Sequence, residues 1–487
     1  MSEIILFNPI GDSKRITFTI PPWALLHIAA VLVKDFSVSI IDQNVEPRWK
    51  EVLKRELNSG TLFIGVTAMT GMQLNYVKEF LDAAKEIRAV PIIWGGGHAS
   101  FFPEQTLKSG YADIVVVGEG EATIWELAQA IKNGSSLDSI RGIYYKQDGK
   151  IIQNHSRDFI DMDTIPRLPY HLVNMERYIF RTSYAKRNLE ICSSRGCPHG
   201  CIFCYNTALN HKCWRSMSPH HVVEELQYLV KTFKIDGLNW REDNFFVDKN
   251  RIKTICELII QEKINVKWHA DARIDYFDGY ENEFIDLLKR SGCKRISFGI
   301  ESGSNKIIKS VDKGISIEQI LRVNQLMKRH KLQCYYHFSF GYIGETATDS
   351  LETLRLALRL LEENPYARMW PASLYTPYPG TPMFDDAVKS GFKVPEDLEG
   401  FTKFIWSISN LPWLTKDYSK QLTGIVFIMT GFSSNLPIVR TWFKFRMEQT
   451  VRNGKPGRIF ERKIADSIRS TIRSVKTFAP YIPQISA

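Results

Sequence analysis

Three cysteines lie close together in the segment RGCPHGCIFCYN, residues 195 to 206. Cys197, Cys201 and Cys204 have the spacing C-x3-C-x2-C. Thiolates are ligands of zinc and of iron–sulfur clusters. A structural zinc site needs four ligands, commonly in two separated pairs, whereas a 4Fe–4S cluster held by three cysteines leaves one iron open for another ligand. The spacing therefore favours a cluster with an open iron over a closed zinc site.

Two further cysteines, Cys192 and Cys213, are the nearby candidates for a fourth ligand, but we interpret both as ordinary small buried residues. All eight cysteines lie between Cys192 and Cys334, and the first 191 residues contain none. Clustered thiols in a reducing compartment commonly bind metal or take part in chemistry. A metal bound by cysteine therefore belongs to the central part of the chain.

The composition is that of an ordinary soluble protein. The chain has 487 residues, of which 44% are apolar and 24% charged, and is long enough for about three domains. Its start, MSEIILFNPIG, predicts a buried strand and lacks the features of a signal peptide. The apolar runs at 21–33 and 424–432 are shorter than the roughly 18 residues of a spanning helix. We therefore expect a soluble, cytoplasmic protein.

Residues 1–135 alternate short apolar runs, such as SVSIID and TLFIGVTA, with segments of helical spacing, such as NYVKEFLDAAKEIR. This alternation predicts a doubly wound parallel sheet covered on both faces. Ligands of such sheets bind beyond the carboxyl ends of the strands. The segments VTAMTGMQ (66–73), WGGGHAS (94–100) and GEGEAT (118–123) fall at those ends.

The rest of the chain divides into three further regions. Residues 136–185 form a linker in which KQDGK predicts a hairpin turn. Residues 186–390 contain about six strand–helix repeats, too few for a complete eight-fold barrel, so we expect an open partial (β/α)6 barrel. In its first long helix, Ser218 is the expected N-cap and Pro219 the first helical residue. Residues 391–487 predict a helical, basic C-terminal domain.

The segment CPHGCIFC, with Phe203 before its last cysteine, resembles the cluster motif of radical S-adenosylmethionine (SAM) enzymes. The resemblance implies that Cys197, Cys201 and Cys204 hold a 4Fe–4S cluster, with SAM bound at the open iron. One electron then cleaves SAM to a 5′-deoxyadenosyl radical. A flavodoxin or ferredoxin is the kind of electron donor that we expect.

Five later segments resemble, in order, the SAM-binding segments of that family. NWREDNFFVD, ADARIDYF and ISFGIESGS are the first three, and FGYIGET and YTPYPGTPMF resemble the loop behind the adenine and the closing loop. The resemblance implies that Glu242 or Asp243 approaches the SAM amino group and that Glu301 faces the site. Arg273 suits the SAM carboxylate because a guanidinium binds carboxylates in bidentate fashion.

The front half resembles the cobalamin-binding module that precedes the radical SAM domain in one large class of these enzymes. PPWALLHIAAVL, IIWGGGHASFFPEQTL and DIVVVGEGEATIWELAQAI carry the resemblance. Glycines at strand ends let the backbone approach a bulky flat corrin. The cobalamin-binding residues that this implies are Thr70, Gly71, Gln73, Gly96, Gly97, His98, Gly118, Glu119 and Glu121. The D-x-H-x-x-G motif of the lower cobalt ligand is absent, and we interpret His98 as a structural turn residue near the ligand rather than as that ligand.

Taken together, the two resemblances imply a cobalamin-dependent radical SAM enzyme, and the favoured reaction is methyl transfer to an unreactive carbon. Radical cyclisation, oxidation or carbon–carbon coupling, with the front domain used differently or empty, is the alternative. An RNA-modifying methylthiotransferase is disfavoured because that family carries extra cysteines in its N-terminal domain. The SAM-site segments disfavour a non-catalytic iron–sulfur or zinc protein. No residue identifies itself as a catalytic general base.

Most of the net charge of +10 lies in the C-terminal region, where eleven Lys and Arg and three acids between Arg440 and Lys476 give +8. Such a run is most often a solvated helical face. Aromatic and apolar residues beside it, in FIWSISNLPWL and GIVFIMTGF, suit a helical cap over the barrel mouth or a surface that meets anionic lipid. Both favour a hydrophobic or amphiphilic substrate, and we expect no nucleic-acid partner.

Overall fold

The computed structural model describes residues 2–11, 19–403, 411–432, 434 and 437–456. Within them the chain forms two large sheets of mainly parallel strands, each flanked by helices, followed by a helical C-terminal region. The predicted architecture, a doubly wound domain followed by a partial barrel, is confirmed.

The front sheet has the strand order β2-β1-β3-β4-β5-β6-β7. Strands β1 to β5 run parallel, and β6 and β7 form an antiparallel hairpin at one edge. The strands are β1 (Ile4–Asn8), β2 (Val38–Asp42), β3 (Phe63–Thr67), β4 (Ile92–Gly95), β5 (Ile114–Val116), β6 (Ile143–Gln147) and β7 (Lys150–Gln153). The helices are α1 (Trp23–Leu32), α2 (Trp49–Glu56), α3 (Gln73–Ile87), α4 (Gly97–Phe101), α5 (Pro103–Lys108) and α6 (Glu121–Asn133).

Both faces of the front sheet are buried because its central strands are apolar at nearly every position. In β1, Ile4 and Leu6 pack on one side of the sheet while Ile5 and Phe7 pack on the other. The hairpin predicted at KQDGK is confirmed, with its turn at Asp148 and Gly149, and it extends this sheet. Three short 3-10 helices, Met162–Thr164, Tyr170–Leu172 and Met175–Tyr178, then lead to the second sheet.

The second sheet is a curled parallel half-barrel with the strand order β15-β14-β13-β12-β11-β8, and β16 pairs with β14. Its strands are β8 (Asn188–Ile191), β11 (Gly237–Trp240), β12 (Lys267–Arg273), β13 (Cys293–Glu301), β14 (Gln333–Phe340), β15 (Ala367–Met369) and β16 (Ser373–Leu374), and β9 (Ser194–Arg195) and β10 (Arg215–Ser216) form a separate small ladder. Its helices are α7 (Asn206–Leu209), α8 (Pro219–Phe233), α9 (Lys249–Gln261), α10 (Ile274–Asp278), α11 (Asn282–Arg290), α12 (Asn305–Ser310), α13 (Ile317–Arg329), α14 (Ala347–Glu363) and α15 (Pro382–Lys389). The predicted cap of α8 is confirmed, since Ser218 Oγ accepts from His221 N–H and Pro219 is the first residue.

The barrel strands alternate in character with a period of two. In β12, Trp268, Ala270 and Ala272 are buried in the core beneath the outer helices. The intervening residues His269, Asp271 and Arg273 therefore lie on the concave face. Because these inner-face residues are polar, the interior of the barrel is suited to contact a polar ligand and not to form a second hydrophobic core.

The C-terminal region packs on both halves of the molecule. Helix α16 (Leu398–Thr402) lies against α3, where Leu398 and Phe401 join the core of the front domain. Helices α17 (Lys416–Phe432) and α18 (Pro437–Asn453) pack on each other and on α14, along the side of the barrel. No helix in the described ranges is long and apolar enough to cross a membrane.

Among the described residues, a short segment at residues 411–413 is the part of the C-terminal region that reaches the barrel mouth, where we expected a helical cap. The indole of Trp413 donates to the Gly341 carbonyl at 3.0 Å, just beyond the end of β14, and Leu411 lies beside the same glycine. The two long helices lie on the barrel's flank instead, because the apolar face of α17 is buried there. Residues 404–410 of FIWSISNLPWL, and the basic segment from residue 457 onward, lie outside the described residues.

Candidate cofactor sites

The cysteine loop follows β9, at the end of the barrel where the parallel strands finish. Cys201 is buried, and Cys197 and Cys204 are partly buried. Each sulfur faces a nitrogen donor: Asn244 Nδ2 lies 3.4 Å from Cys197, Arg273 Nη1 3.4 Å from Cys201 and Asn206 Nδ2 3.9 Å from Cys204. Donors directed at sulfur stabilise thiolates, which are the form that binds iron. The donor set therefore fits an iron–sulfur cluster.

The other two cysteines near the loop differ in their exposure to solvent. Cys192 Sγ donates to the Ser194 carbonyl at 3.1 Å, and burial raises the pKa of Cys192 to about 12. Cys213 is exposed, on the turn that precedes β10. The interpretation of Cys213 as a buried residue was wrong, because that turn lies outside the packed part of the barrel. In the described residues, no three His, Cys, Asp or Glu side chains are arranged to hold a single metal ion.

Glu242 and Asp243, the two predicted partners of the SAM amino group, follow β11 and bind the backbone on either side of β9. The buried Glu242 carboxylate accepts from Ser193 N–H at 2.8 Å and from the Ser193 and Ser194 hydroxyls. Asp243 accepts from Gly196 N–H at 2.8 Å and from the Tyr205 hydroxyl. Burial raises the pKa of Glu242, and Arg251 opposes that shift. Both acids thus hold the cysteine loop in its position.

Arg273 and Glu301 lie on neighbouring strands of the barrel and face the cysteine loop. Arg273 is buried and paired with the Asp275 carboxylate, at 3.0 Å from Nε. Glu301 has a φ of +68°, rarely adopted by residues other than glycine, and its carboxylate binds Lys313 Nζ at 2.8 Å. A strained backbone of this kind persists where the surroundings hold it, as at ligand sites. The structure brings together both predicted residues and adds Lys313, which sequence reasoning missed.

The two loops that resemble the adenine-binding and closing segments meet beside Phe203. The rings of Phe203 and Tyr342 are 5.7 Å apart in an edge-to-face contact, and Tyr342 stacks on Tyr375 at 5.5 Å. Tyr342 belongs to FGYIGET and Tyr375 to YTPYPGTPMF. An aromatic wall of this kind is suited to a flat ring.

A cavity of about 300 Å³ lies at the carboxyl ends of β1, β3, β4 and β5, between the front sheet and the cysteine loop. Its walls are mainly apolar, and Cys192 and Arg195 close it on the barrel side. The lining residues are Leu6, Trp23, Ala24, Leu25, His27, Ile28, Gly65, Val66, Thr67, Ile93, Gly95, Gly96, Val116, Gly118, Glu119, Gly120, Glu121, Ile124, Cys192 and Arg195. The cavity is where the strand order reverses, between β1 and β3, which is the usual ligand position of such a sheet.

Two glycines of the cavity leave its backbone bare. A Cβ placed on Gly95 or on Gly118 would meet no atom within 4 Å. Gly118 also has a φ of +76°, so the turn after β5 requires glycine. Space next to bare backbone at strand ends fits an elongated part of a large group such as cobalamin.

The cavity contains four of the nine residues predicted for cobalamin, namely Gly96, Gly118, Glu119 and Glu121. Thr70, Gly71, Gln73, Gly97 and His98 are not among its lining residues. His98 is completely buried, and its ring lies 5.2 Å from that of Phe401. Burial lowers the pKa of His98 to about 4. The structure thus places His98 in the packing between α4 and α16 and not in the cavity.

An ion cluster joins the wall of the cavity to the cysteine loop. Arg195, two residues before Cys197, donates to Glu119 at 2.9 Å and to Glu121 at 2.5 Å. Its Nη2 also lies 3.1 Å from His27 Nδ1, which must therefore be the unprotonated nitrogen of that imidazole. Burial, together with the Arg195 charge, lowers the pKa of His27 to about 4.

Sequence reasoning missed Arg195 and His27. Arg195 stood in the cysteine segment and His27 in the apolar run PPWALLHIAAVL. A lone histidine within an otherwise apolar helix was the available signal, because such a residue needs a buried polar partner. That partner is Arg195, which lies 168 residues away in the sequence, so the pairing could not be predicted from a local pattern.

Comparisons with known proteins match two family models to this chain, one in each half. The family model "Radical SAM superfamily" matches residues 191–357, and "B12 binding domain" matches residues 14–128. An uncharacterized methyltransferase of Pyrococcus horikoshii is 30% identical over 432 residues, which cover 88% of this chain and 92% of that protein. An anaerobic magnesium-protoporphyrin IX monomethyl ester cyclase of a Synechocystis species is 26% identical over 339 residues, covering 68% of this chain and 67% of that protein. The structure of the cobalamin-dependent SAM radical enzyme OxsB with aqua-cobalamin bound has a TM-score of 0.70 at 18% identity and covers 98% of this chain and 77% of that one.

A doubly wound domain set against the mouth of a partial barrel, with a three-cysteine loop between them, defines an enzyme built to hold cofactors in both halves. The chain belongs to the radical SAM enzymes that carry a B12-binding domain. Its cofactors are a 4Fe–4S cluster, SAM and cobalamin.

Proposed function

We propose that the chain transfers the methyl group of SAM to an unactivated carbon of a hydrophobic or amphiphilic substrate. The observation that carries the proposal is the shared wall between the two halves, where Cys192 and Arg195 of the barrel close the cavity of the front sheet. A methyl carrier bound there would lie beside the radical site. The relationship to the Pyrococcus horikoshii methyltransferase supports the same reaction.

When bound, the cluster supplies the electron that cleaves SAM to a hydrogen-abstracting radical, and cobalamin supplies a carrier for the methyl group. The chain's own residues have the tasks of holding and orienting. Cys197, Cys201 and Cys204 hold the cluster, and Asn244 stabilises the loop through the Cys197 sulfur. Arg195 fixes the distance between the cysteine loop and the front sheet, and such positioning is a large part of the catalysis.

For SAM we propose the residues given by the resemblance, which are Phe203, Glu242, Asp243, Arg273 and Glu301. For cobalamin we propose the four cavity residues Gly96, Gly118, Glu119 and Glu121, together with Thr70, Gly71, Gln73, Gly97 and His98 in a supporting layer. We propose the corresponding domain boundaries at residues 135, 185 and 390, with the β6–β7 hairpin of the linker packed onto the front sheet. The barrel interior, where polar side chains such as Asp271 lie near the Trp370 ring, suits an amphiphilic substrate better than a uniformly apolar one.

The test is an anaerobic assay with protein reconstituted with iron, sulfide and hydroxocobalamin. SAM that carries deuterium on its methyl group is added with a pool of extracted small molecules, and products are followed by mass spectrometry. A labelled product that needs both cobalamin and the three cysteines supports methyl transfer. If SAM is cleaved but no product takes up label, although a substrate is consumed, the proposal is wrong.

That last result would favour a second function, radical cyclisation or another bond-forming oxidation. The specific observation behind it is the relationship to the Synechocystis cyclase over 339 residues. Cyclisation would yield 5′-deoxyadenosine and an unlabelled product that has lost hydrogen. The same mass spectra therefore separate the two reactions.

We propose that a flavodoxin or ferredoxin delivers the electron beside the cysteine loop. Exposed Lys212 lies close to Gly200, between two of the cysteines, and offers a positive charge to an acidic donor protein. Lys212→Glu should slow reduction of the cluster by flavodoxin and leave reduction by dithionite unchanged. Equal rates with flavodoxin for both proteins would contradict this docking position.

We also propose a peripheral contact with anionic lipid through α18. Its residues Ile438, Trp442 and Phe445 are 81%, 48% and 45% exposed, and their spacing puts them along one side of the helix. Exposed aromatic residues next to Arg and Lys suit a membrane interface. Replacing the three with Ser should reduce co-sedimentation with anionic vesicles, whereas Ser at the scattered exposed residues Ile87, Ile260 and Val388 should not. Equal sedimentation of both variants would contradict the contact.

A further inference from the structure

The interior of the barrel presents a continuous polar surface below the cofactor residues. Strand register places Glu190 of β8 beside Asn239 of β11, and Asn239 beside His269 of β12. One layer nearer the mouth, Asp271 of β12 lies beside Ser297 of β13. None of these residues belongs to the cysteine loop or to the cavity of the front sheet.

Asp271 has the most open carboxylate of this surface. Its side chain is 48% exposed although β12 lies between β11 and β13, so the exposed part faces the space inside the barrel. Its Oδ1 lies 3.5 Å from His269 Nε2, which is itself 2.7 Å from Ser297 Oγ. Burial opposes ionisation, but the hydrogen bond with His269 lowers the pKa of Asp271, so it is ionised at neutral pH. The carboxylate therefore keeps acceptor capacity for another donor.

Glu190 supplies a second, independent sign of a missing partner. Its side chain is 3% exposed, and its Oε2 has no hydrogen-bond partner among the described residues. Arg241 Nε is 4.0 Å away from that oxygen, which is too far for a hydrogen bond. Burial raises the pKa of Glu190, and the nearby Asp271 charge adds to that shift. Strand register puts Glu190 on the same concave face as His269 and Asp271. A buried polar atom without a partner is costly and calls for a ligand or water.

Aromatic rings lie beside this polar surface. The Trp370 indole donates to Ser297 Oγ at 3.1 Å, and its ring lies 5.3 Å from that of His337. Burial lowers the pKa of His337, so this imidazole is neutral. The barrel interior thus has aromatic rings next to hydrogen-bond acceptors, which suits a group with an apolar body and a hydrogen-bond-donating end.

We infer that Asp271, with Glu190, His269 and Ser297, binds the polar end of the substrate, and that this end is a hydrogen-bond donor, an ammonium or a hydroxyl group. The inference rests on the proposed function for the meaning of "substrate". A carboxylate or phosphate end is disfavoured, because it would meet the charge of Asp271. This acceptor site would hold one end of the substrate deep in the barrel while the reacting carbon lies towards the mouth.

The experiment measures binding by ligand-observed NMR with the reconstituted full chain. The probes are phenethylamine, phenethyl alcohol and phenylpropionate, which share an aromatic body and differ at the polar end. The variants are Asp271→Asn, Asp271→Glu and the control Asp286→Asn, which makes the same change at an exposed acid of α11. Melting curves and iron content show whether each variant is folded.

We expect the amine and the alcohol to bind saturably and phenylpropionate to bind about ten-fold more weakly or worse. Asp271→Asn should weaken the amine by about ten-fold, the scale of a charge-assisted hydrogen bond. Asp271→Glu should keep the order of preference, and Asp286→Asn should match the wild type. A loss confined to the amine indicates an ammonium end, and a loss for both probes indicates a hydroxyl end.

The inference is overturned if neither donor probe binds saturably, if phenylpropionate binds best, or if Asp271→Asn binds the amine as the wild type does. Should Asp271→Asn fail to fold, the preference of the wild type among the three probes decides alone. Binding is read without turnover, so the outcome is separate from the methyl-transfer assay. Labelled product can form even if the acceptor site does not bind the probes. The probes can likewise bind even if no methyl group is transferred.

Discussion

The cavity of the front sheet and the interior of the barrel are both built at parallel strands, yet they use opposite side-chain choices. The cavity has apolar walls and bare glycine backbone at Gly95 and Gly118. The barrel interior instead carries charged and polar side chains, such as Asp271 and Arg273, on its concave face. A large cofactor needs room and contact with the backbone, whereas SAM and a substrate need directed partners. The two regions meet at Arg195. Substitutions within one region should affect its own cofactor, whereas a substitution at Arg195 should affect both.

The largest expected effect comes from removing the barrel's cofactor while the front cavity stays intact. Replacing Cys197, Cys201 and Cys204 with Ala should abolish iron binding and formation of 5′-deoxyadenosine, because no other thiol lies in the loop. Cobalamin should still bind, since the cavity is lined mainly by the front domain. Iron and cobalt per chain and the optical spectrum measure both halves. A triple variant that still cleaves SAM reductively would contradict the assignment of the cluster.

The converse change fills the front cavity. Gly95→Leu should lower cobalt occupancy by about ten-fold or more, because its side chain would enter space that the cofactor needs, and iron content should be unchanged. Gly95 is a better position than Gly96, whose Cβ would lie 2.3 Å from Thr67 Oγ1 and so disturb β3 itself. Gly279→Leu is the matched control, at an exposed glycine whose Cβ would meet only Tyr276 O, at 3.8 Å. Normal cobalt in Gly95→Leu would show that the cavity is not the cobalamin site.

The two regions also differ in how far the sequence predicted them. The cysteine spacing, the alternating strands and the strand-end glycines are local patterns, so the fold, the three cysteines, Gly96 and Gly118 could be predicted. The interior of the barrel is assembled by register between strands far apart in sequence. Asp271 next to Ser297, for example, depends on the shift between Trp268 and His269 in the pairing of β12 with β13. His98 shows the reverse case. Its motif placed it near the cobalamin, whereas the structure packs it against Phe401 of the distant helix α16.

The contact between the regions should be worth several kcal/mol. Arg195→Met would leave Glu121 buried without its partner, whereas Glu119 would keep Arg215 at 2.7 Å. Removing one member of a buried ion pair costs about 3–5 kcal/mol. Urea unfolding should show that loss, and both iron and cobalt retention should fall. Arg322→Met, at a pair with Asp278 whose arginine is largely exposed, should cost far less, because solvent screens an exposed ion pair. Similar losses in the two variants would mean that the Arg195 contact does not hold the halves together.

The smallest effect concerns His27, on the cavity side of the same contact. Its pKa falls from 6.5 to about 4 in the folded chain because of burial and the Arg195 charge. Between those values the unfolded chain binds a proton that the folded chain does not, so stability is present above pH 6.5 and is lost as the pH falls towards 4.

His27→Gln keeps a polar side chain but cannot titrate, and it should flatten that part of the stability curve by roughly 3 kcal/mol at most. Urea unfolding at a series of pH values, with and without bound cobalamin, measures the difference from the wild type. His155→Gln, at an exposed histidine after β7, should leave the curve unchanged. If stability falls as steeply with pH in His27→Gln as in the wild type, the acid sensitivity comes from another group. That result would contradict a neutral His27 in contact with Arg195.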